Sequence, residues 1–76
     1  MKLVYVKWVD SHFRPGWASE APEGKLMYCH SVGWLIKDDK NVKVLSANIT
    51  KEDCPQRCCD ITIPTRAIIQ IKPLLI

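Results

Sequence analysis

The side chains best suited to chemistry in this 76-residue chain are four cysteines and two histidines. Cys54 and Cys58 stand four residues apart, Cys59 follows at once, and Cys29 is followed by His30. A structural zinc site gathers four thiolate or imidazole ligands into a tetrahedron, commonly as two closely spaced pairs. Cys29, His30, Cys54 and Cys58 are the residues such a site would draw on. Adjacent residues in extended backbone point to opposite sides. Neither Cys58 with Cys59 nor Cys29 with His30 is therefore expected to share an ion, and the reading is free thiols with no cofactor, zinc being the alternative.

An even cysteine count also permits two disulfides in three connectivities. Residues 1–10 carry Lys2, Lys7 and Asp10 and no small-residue cleavage site. They read as a strand and not as an export signal. A cytoplasmic chain with reduced thiols is the expectation, and no apolar run approaches the roughly 20 residues that span a bilayer.

For catalysis, His12 and His30 offer bases and the cysteines offer nucleophiles, but no spacing joins them into a dyad. Asp38-Asp39 and Glu52-Asp53 fall in polar, turn-like stretches and read as loop solvation more simply than as paired catalytic carboxylates. No glycine-rich phosphate loop or dinucleotide motif is present. A non-enzymatic protein is expected.

Residues 11–24 carry Phe13, Arg14 and Trp17 among two prolines and two glycines, so aromatics and a guanidinium fall in a segment that must lie outside a core. Trp and Arg are enriched at interaction hot spots, since they combine large apolar area with directed donors. The bland alternative is that Trp17 folds back as a lid over the core.

The elements that must position these residues are strands. Residues 3–10 are β-branched and aromatic on both faces, with Val4, Val6 and Trp8 on one side. After the 11–24 loop, residues 25–38 read as a long strand bent at Gly33, with Val32, Trp34 and Ile36 alternating onto one face. Asp38-Asp39-Lys40-Asn41 is a hairpin turn into residues 42–49. Residues 50–59 read as a loop, and Ile61 and Ile63 as a short strand stopping at Pro64. Thr65-Arg66-Ala67 suits one 3₁₀ turn, and residues 68–74 close the sheet, with Pro73 at an edge or beyond the pairing. The fold class expected is all-β: one domain over residues 1–76, a small five-stranded SH3-like or Sm-like barrel with a long first loop and a one-turn 3₁₀ break before the last strand. Closure would remove exposed edges. In SH3-like domains the first loop and that break stand side by side, which would bring Arg66 to the loop.

Composition agrees with an ordered domain: 47% of residues are hydrophobic and 25% charged, with a net charge of +3. The basic residues are scattered, as on a solvated strand face, so nucleic acid is permitted without being indicated.

The set Lys7-Trp8-Val9-Asp10-Ser11, Gly16-Trp17, Ser31-Val32-Gly33-Trp34-Leu35-Ile36 and Ile63-Pro64 followed by Ile68 and Ile71 resembles a group of short phage and prophage proteins. The resemblance covers most of the chain. It implies a viral origin and an SH3-like barrel, and brings no activity or catalytic residue with it. The stretch Cys54-Pro55-Gln56-Arg57-Cys58-Cys59 departs from that pattern.

The functional expectation is a phage-encoded binding protein that engages and antagonises a host protein through Phe13, Arg14 and Trp17, with Arg57 and Arg66 as further binding residues. One alternative is a homo-oligomeric sponge for a nucleotide or other small phosphorylated ligand, for which Arg14, Arg57 and Arg66 would serve. Another is a single-stranded nucleic-acid binder with stacking aromatics.

Overall fold

The computed structural model describes residues 1–75. Five strands form one antiparallel sheet: β1 (Lys2–Asp10), β2 (Met27–Asp38), β3 (Val42–Ile49), β4 (Arg57–Pro64) and β5 (Ile68–Pro73), in the order β4-β3-β2-β1-β5. A single 3₁₀ turn, η1 (Thr65–Ala67), separates β4 from β5. The all-β class, the five strands and the one-turn break are as the sequence indicates. No ladder joins β4 to β5 among the described residues.

Two boundaries move. β4 begins at Arg57, so Cys58 and Cys59 lie on a strand and not in the expected 50–59 loop; that loop is short and closed on itself, with Thr50 N–H donating to the Gln56 carbonyl at 2.9 Å. β2 begins at Met27, which lengthens the first loop to residues 11–26.

β2 organises the sheet because its two edges serve different neighbours. Met27 to Leu35 pair with β1, whereas Trp34 to Asp38 pair with β3, so the ladders overlap only around Trp34 and Leu35. The strand must coil there, and Gly33 permits it: a Cβ at this position would lie 2.9 Å from the Ser46 carbonyl oxygen and 3.1 Å from the Leu45 Cβ. A bulge between Leu35 and Lys37 adds local twist. It also breaks the alternation between Trp34 and Ile36, while Val32, which lies ahead of the β3 ladder and pairs with Tyr5 of β1, is 58% exposed. A second irregularity, where Lys7 faces Gln70 but Trp8 faces Ile68, leaves Ile69 unpaired on β5.

The coiling lets strands far apart in the sheet share a core. Val4 and Val6 of β1, Leu45 of β3 and Ile63 of β4 are buried together, with Trp8, Leu35, Ala67 and Ile68 packed around them. Full burial of an aliphatic side chain contributes about 1.5–3 kcal/mol, so this small set provides much of the driving force. Trp8 donates its indole N–H to Ser31 Oγ at 3.0 Å, which lets the ring pack without an orphaned donor. The buried polar residue is Ser46, whose hydroxyl lies 3.0 Å from each of the Asn48 and Cys58 carbonyl oxygens. η1 is tied to the β2–β3 turn: Thr65 N–H donates to the Asn41 carbonyl at 2.9 Å and its hydroxyl to that of Asp39, also at 2.9 Å.

Candidate binding surface

The 11–26 loop leaves β1 at Asp10, whose carboxylate accepts the Ser11 N–H at 2.8 Å. Gly16 (φ 89°) and Gly24 (φ 62°) adopt left-handed backbone, which glycine enters without steric cost, and each has open space around its Cα. Arg14 and Glu20 form an ion pair that spans the Gly16 bend. The Arg14 guanidinium, donating to the carboxylate, holds Glu20 below the usual carboxylate range. An open pocket of about 650 Å³ lies against the loop, lined by charged and polar residues such as His12, Arg14, Glu20 and Lys25 and by the apolar Ala18, Pro22 and Leu26.

Phe13 and Trp17 do not line that cavity. They point to solvent, 84% and 105% exposed. The lid alternative for Trp17 is therefore not what this fold adopts. An indole that packs against nothing in its own chain is unusual, because tryptophan is highly buried on average.

The three arginines of the expected surface stand on three different elements. Arg14 belongs to the loop. Arg57 opens β4 and donates from Nε to Asp60 Oδ2 at 2.8 Å, which holds Asp60 below the usual carboxylate range. Arg66 lies exposed on η1, beside the β2–β3 turn to which Thr65 is tied. Arg57 and Arg66 share neither a hydrogen bond nor the loop cavity with Phe13, Arg14 or Trp17.

The acidic pair Asp38-Asp39 has the turn role that its position suggests. Asp39 Oδ1 accepts the N–H groups of Asn41 and Val42 at 2.8 Å each, and Asp38 pairs with Lys43.

The histidine and cysteine candidates are dispersed. His30 Nδ1 is 2.6 Å from the Tyr5 hydroxyl, and the two rings stack with centroids 5.8 Å apart. Cys29 faces Trp8 across the β1–β2 ladder and is partly buried, whereas Cys54 is exposed in the 50–56 loop. Among the described residues, no three His, Cys, Asp or Glu side chains converge as a metal site would require.

One expectation is corrected. Cys58 and Cys59 do not point to opposite sides; their sulfurs are 3.2 Å apart. The physical reason is the backbone of Cys59, which has φ 66° and so departs from the extended geometry on which alternation rests. A cysteine pair carries no glycine or asparagine to announce such a conformation. Tyr5–His30 was equally hidden, since it depends on the β1–β2 register.

Comparison with protein-family models, curated proteins and solved structures finds no match to this chain.

Proposed function

We propose that this chain is a non-enzymatic, phage-encoded binding protein that engages and antagonises a host protein through its 11–26 loop. The observation that carries the reading is the pair Phe13 and Trp17, both turned to solvent on a loop held by its own ion pair and glycine bends. Aromatic side chains so placed contribute nothing to the core and are available as anchors for a partner's pocket. The phage origin rests on the sequence resemblance, and antagonism is the role proposed here for a phage contact with a host protein.

An SH3-like barrel is part of this reading. It is supported by the strand order, by the 3₁₀ turn between β4 and β5, by the coiling of β2 at Gly33, and by a core that unites β1 with β3 and β4. Affinity capture with the wild-type chain and with Trp17→Ala tests the contact: the reading expects a host protein retained by the first and lost by the second.

A second reading, the homo-oligomeric sponge for a small phosphorylated ligand, is favoured by the amount of surface. The chain exposes 6302 Å², where a compact monomer of its mass exposes about 4,700 Å². Its radius of gyration is 15.9 Å against about 11 Å for a compact domain of this length. The surplus of about 1,600 Å² is roughly twice what one partner gives to a standard interface. Tyr28, Val32, Ile69 and Ile71 are among its exposed apolar groups. Mass in solution separates the readings: a strict monomer removes the sponge and leaves the host contact standing.

A further inference from the structure

Cys58 and Cys59 hold two exposed thiols on one side of β4, in the segment that departs from the phage-protein pattern. Their contact is built by backbone and not by a floppy loop. Ser46, buried in the core, donates its hydroxyl to the Cys58 carbonyl at 3.0 Å, and Asn48 and Cys58 pair across the β3–β4 ladder. The left-handed Cys59 then swings its sulfur to 3.2 Å from that of Cys58. Left-handed backbone at a non-glycine residue costs on the order of 1–3 kcal/mol and persists only where the surroundings impose it. A shallow pocket of about 190 Å³ lies alongside, lined by Asn48, Ile49, Thr50, Gln56, Arg57 and Cys58.

The geometry selects among the things two thiols can do. Bridging them as a disulfide is disfavoured: Cα atoms joined by a trans peptide are about 3.8 Å apart, short of the roughly 4.4 Å at which disulfide spans begin. Such a bridge is strained and readily reduced, so the pair persists as a dithiol in a reducing compartment. Zinc also fits poorly. With zinc–sulfur bonds of about 2.3 Å, a tetrahedral angle sets the sulfurs about 3.8 Å apart. Sulfurs at 3.2 Å subtend an angle of about 90° at an atom bonded at that length. That angle suits a trivalent p-block centre, which bonds through p orbitals and keeps a lone pair.

Ligand number points the same way. A structural zinc ion needs four ligands, and among the described residues no third His, Cys, Asp or Glu side chain converges on the pair. A trivalent thiophile needs only the two sulfurs and keeps its own third oxygen.

We propose that Cys58 and Cys59 form a bidentate site for a neutral trivalent thiophile of the arsenous acid class. In the binding step two arsenic–sulfur bonds form and two arsenic–oxygen bonds break. Each departing hydroxide takes one thiol proton and leaves as water, and no atom changes oxidation state. The third hydroxyl stays on the arsenic. This site is separate from the loop contact and stands or falls without it.

The test is native mass spectrometry of the purified full chain with equimolar arsenite in excess monothiol. One arsenic per wild-type chain is expected, since the second thiol binds intramolecularly. Replacing either member, Cys58→Ser or Cys59→Ser, is expected to weaken binding by at least about a hundredfold, while Cys29→Ser and Cys54→Ser leave it unchanged. An unshifted wild-type mass overturns the proposal, and because that measurement needs no variant it is independent of any folding defect. Retention of arsenic by Cys58→Ser, a requirement for Cys54, or zinc held as tightly as arsenic overturns it equally.

Discussion

Gly33 lies directly beneath the backbone of Ser46, so close that a single added carbon would meet the Ser46 carbonyl oxygen at 2.9 Å. This approach is where β2 passes from its ladder with β1 to its ladder with β3, and the neighbour that would have to yield is main chain. Gly33→Ala is accordingly expected to destabilise the fold by about 1–3 kcal/mol, measured by urea denaturation. An unchanged midpoint would show that the coil of β2 does not depend on the missing Cβ.

Ser46 itself links the core to the cysteine strand. Ser46→Ala removes the hydroxyl shared by the Asn48 and Cys58 carbonyls. The expected loss is about 0.5–1.5 kcal/mol in the same denaturation experiment, the net worth of one hydrogen bond, because Asn48 and Cys58 are exposed enough for water to satisfy their carbonyls. Ile63→Ala, which empties a fully buried site, is expected to cost about 2–5 kcal/mol.

Much of this fold was legible in the residues. Gly33 inside a Val-Trp-Leu-Ile run predicts the bend, Asp38 to Asn41 predict the hairpin, and Ile63-Pro64 followed by Thr65 to Ala67 predicts the one-turn break. What escaped was set by long-range geometry. The two bulges and the reach of β4 back to Arg57 come from pairing with other strands, which local composition does not encode. At the surface, Phe13 and Trp17 were identifiable from their place among prolines and glycines. The ion pair of Arg57 with Asp60 was not, since it depends on β4 reaching back to Arg57. The Cys58–Cys59 contact was hidden for another reason: it needs a left-handed residue where side-chain chemistry gives no hint of one.

Acid should weaken the fold in a definite sense. The Val42 and Asn41 N–H groups, donating to Asp39, hold its carboxyl below the ordinary value of 3.8. Arg57 acts likewise on Asp60 and Arg14 on Glu20. In each case the folded pKa is the lower one, so the contribution is complete above the unfolded value and is lost as pH falls through the folded value. Melting temperature is expected to stay level near neutrality and fall below about pH 4. Asp39→Ala should lower it at pH 7 and flatten part of the acid slope. A rise in stability on acidification would contradict these pairings.

The loop aromatics should separate binding from stability. Phe13→Ala and Trp17→Ala remove side chains that pack against nothing in the chain, so each is expected to leave folding stability within about 0.5 kcal/mol of wild type. Each should nonetheless weaken partner binding by about 2 kcal/mol or more, roughly thirtyfold. Calorimetric titration of the captured partner checks the second half. Destabilisation without loss of binding would return both residues to a packing role.

The most direct test of a host contact through the loop is photo-crosslinking in bacterial host cells, with a benzophenone amino acid at position 17 and, as a control, at the exposed Lys40 of the β2–β3 turn. A discrete adduct with a host protein from position 17, absent from position 40, is the predicted result. No adduct from position 17, or one joining only two copies of this chain, would contradict it.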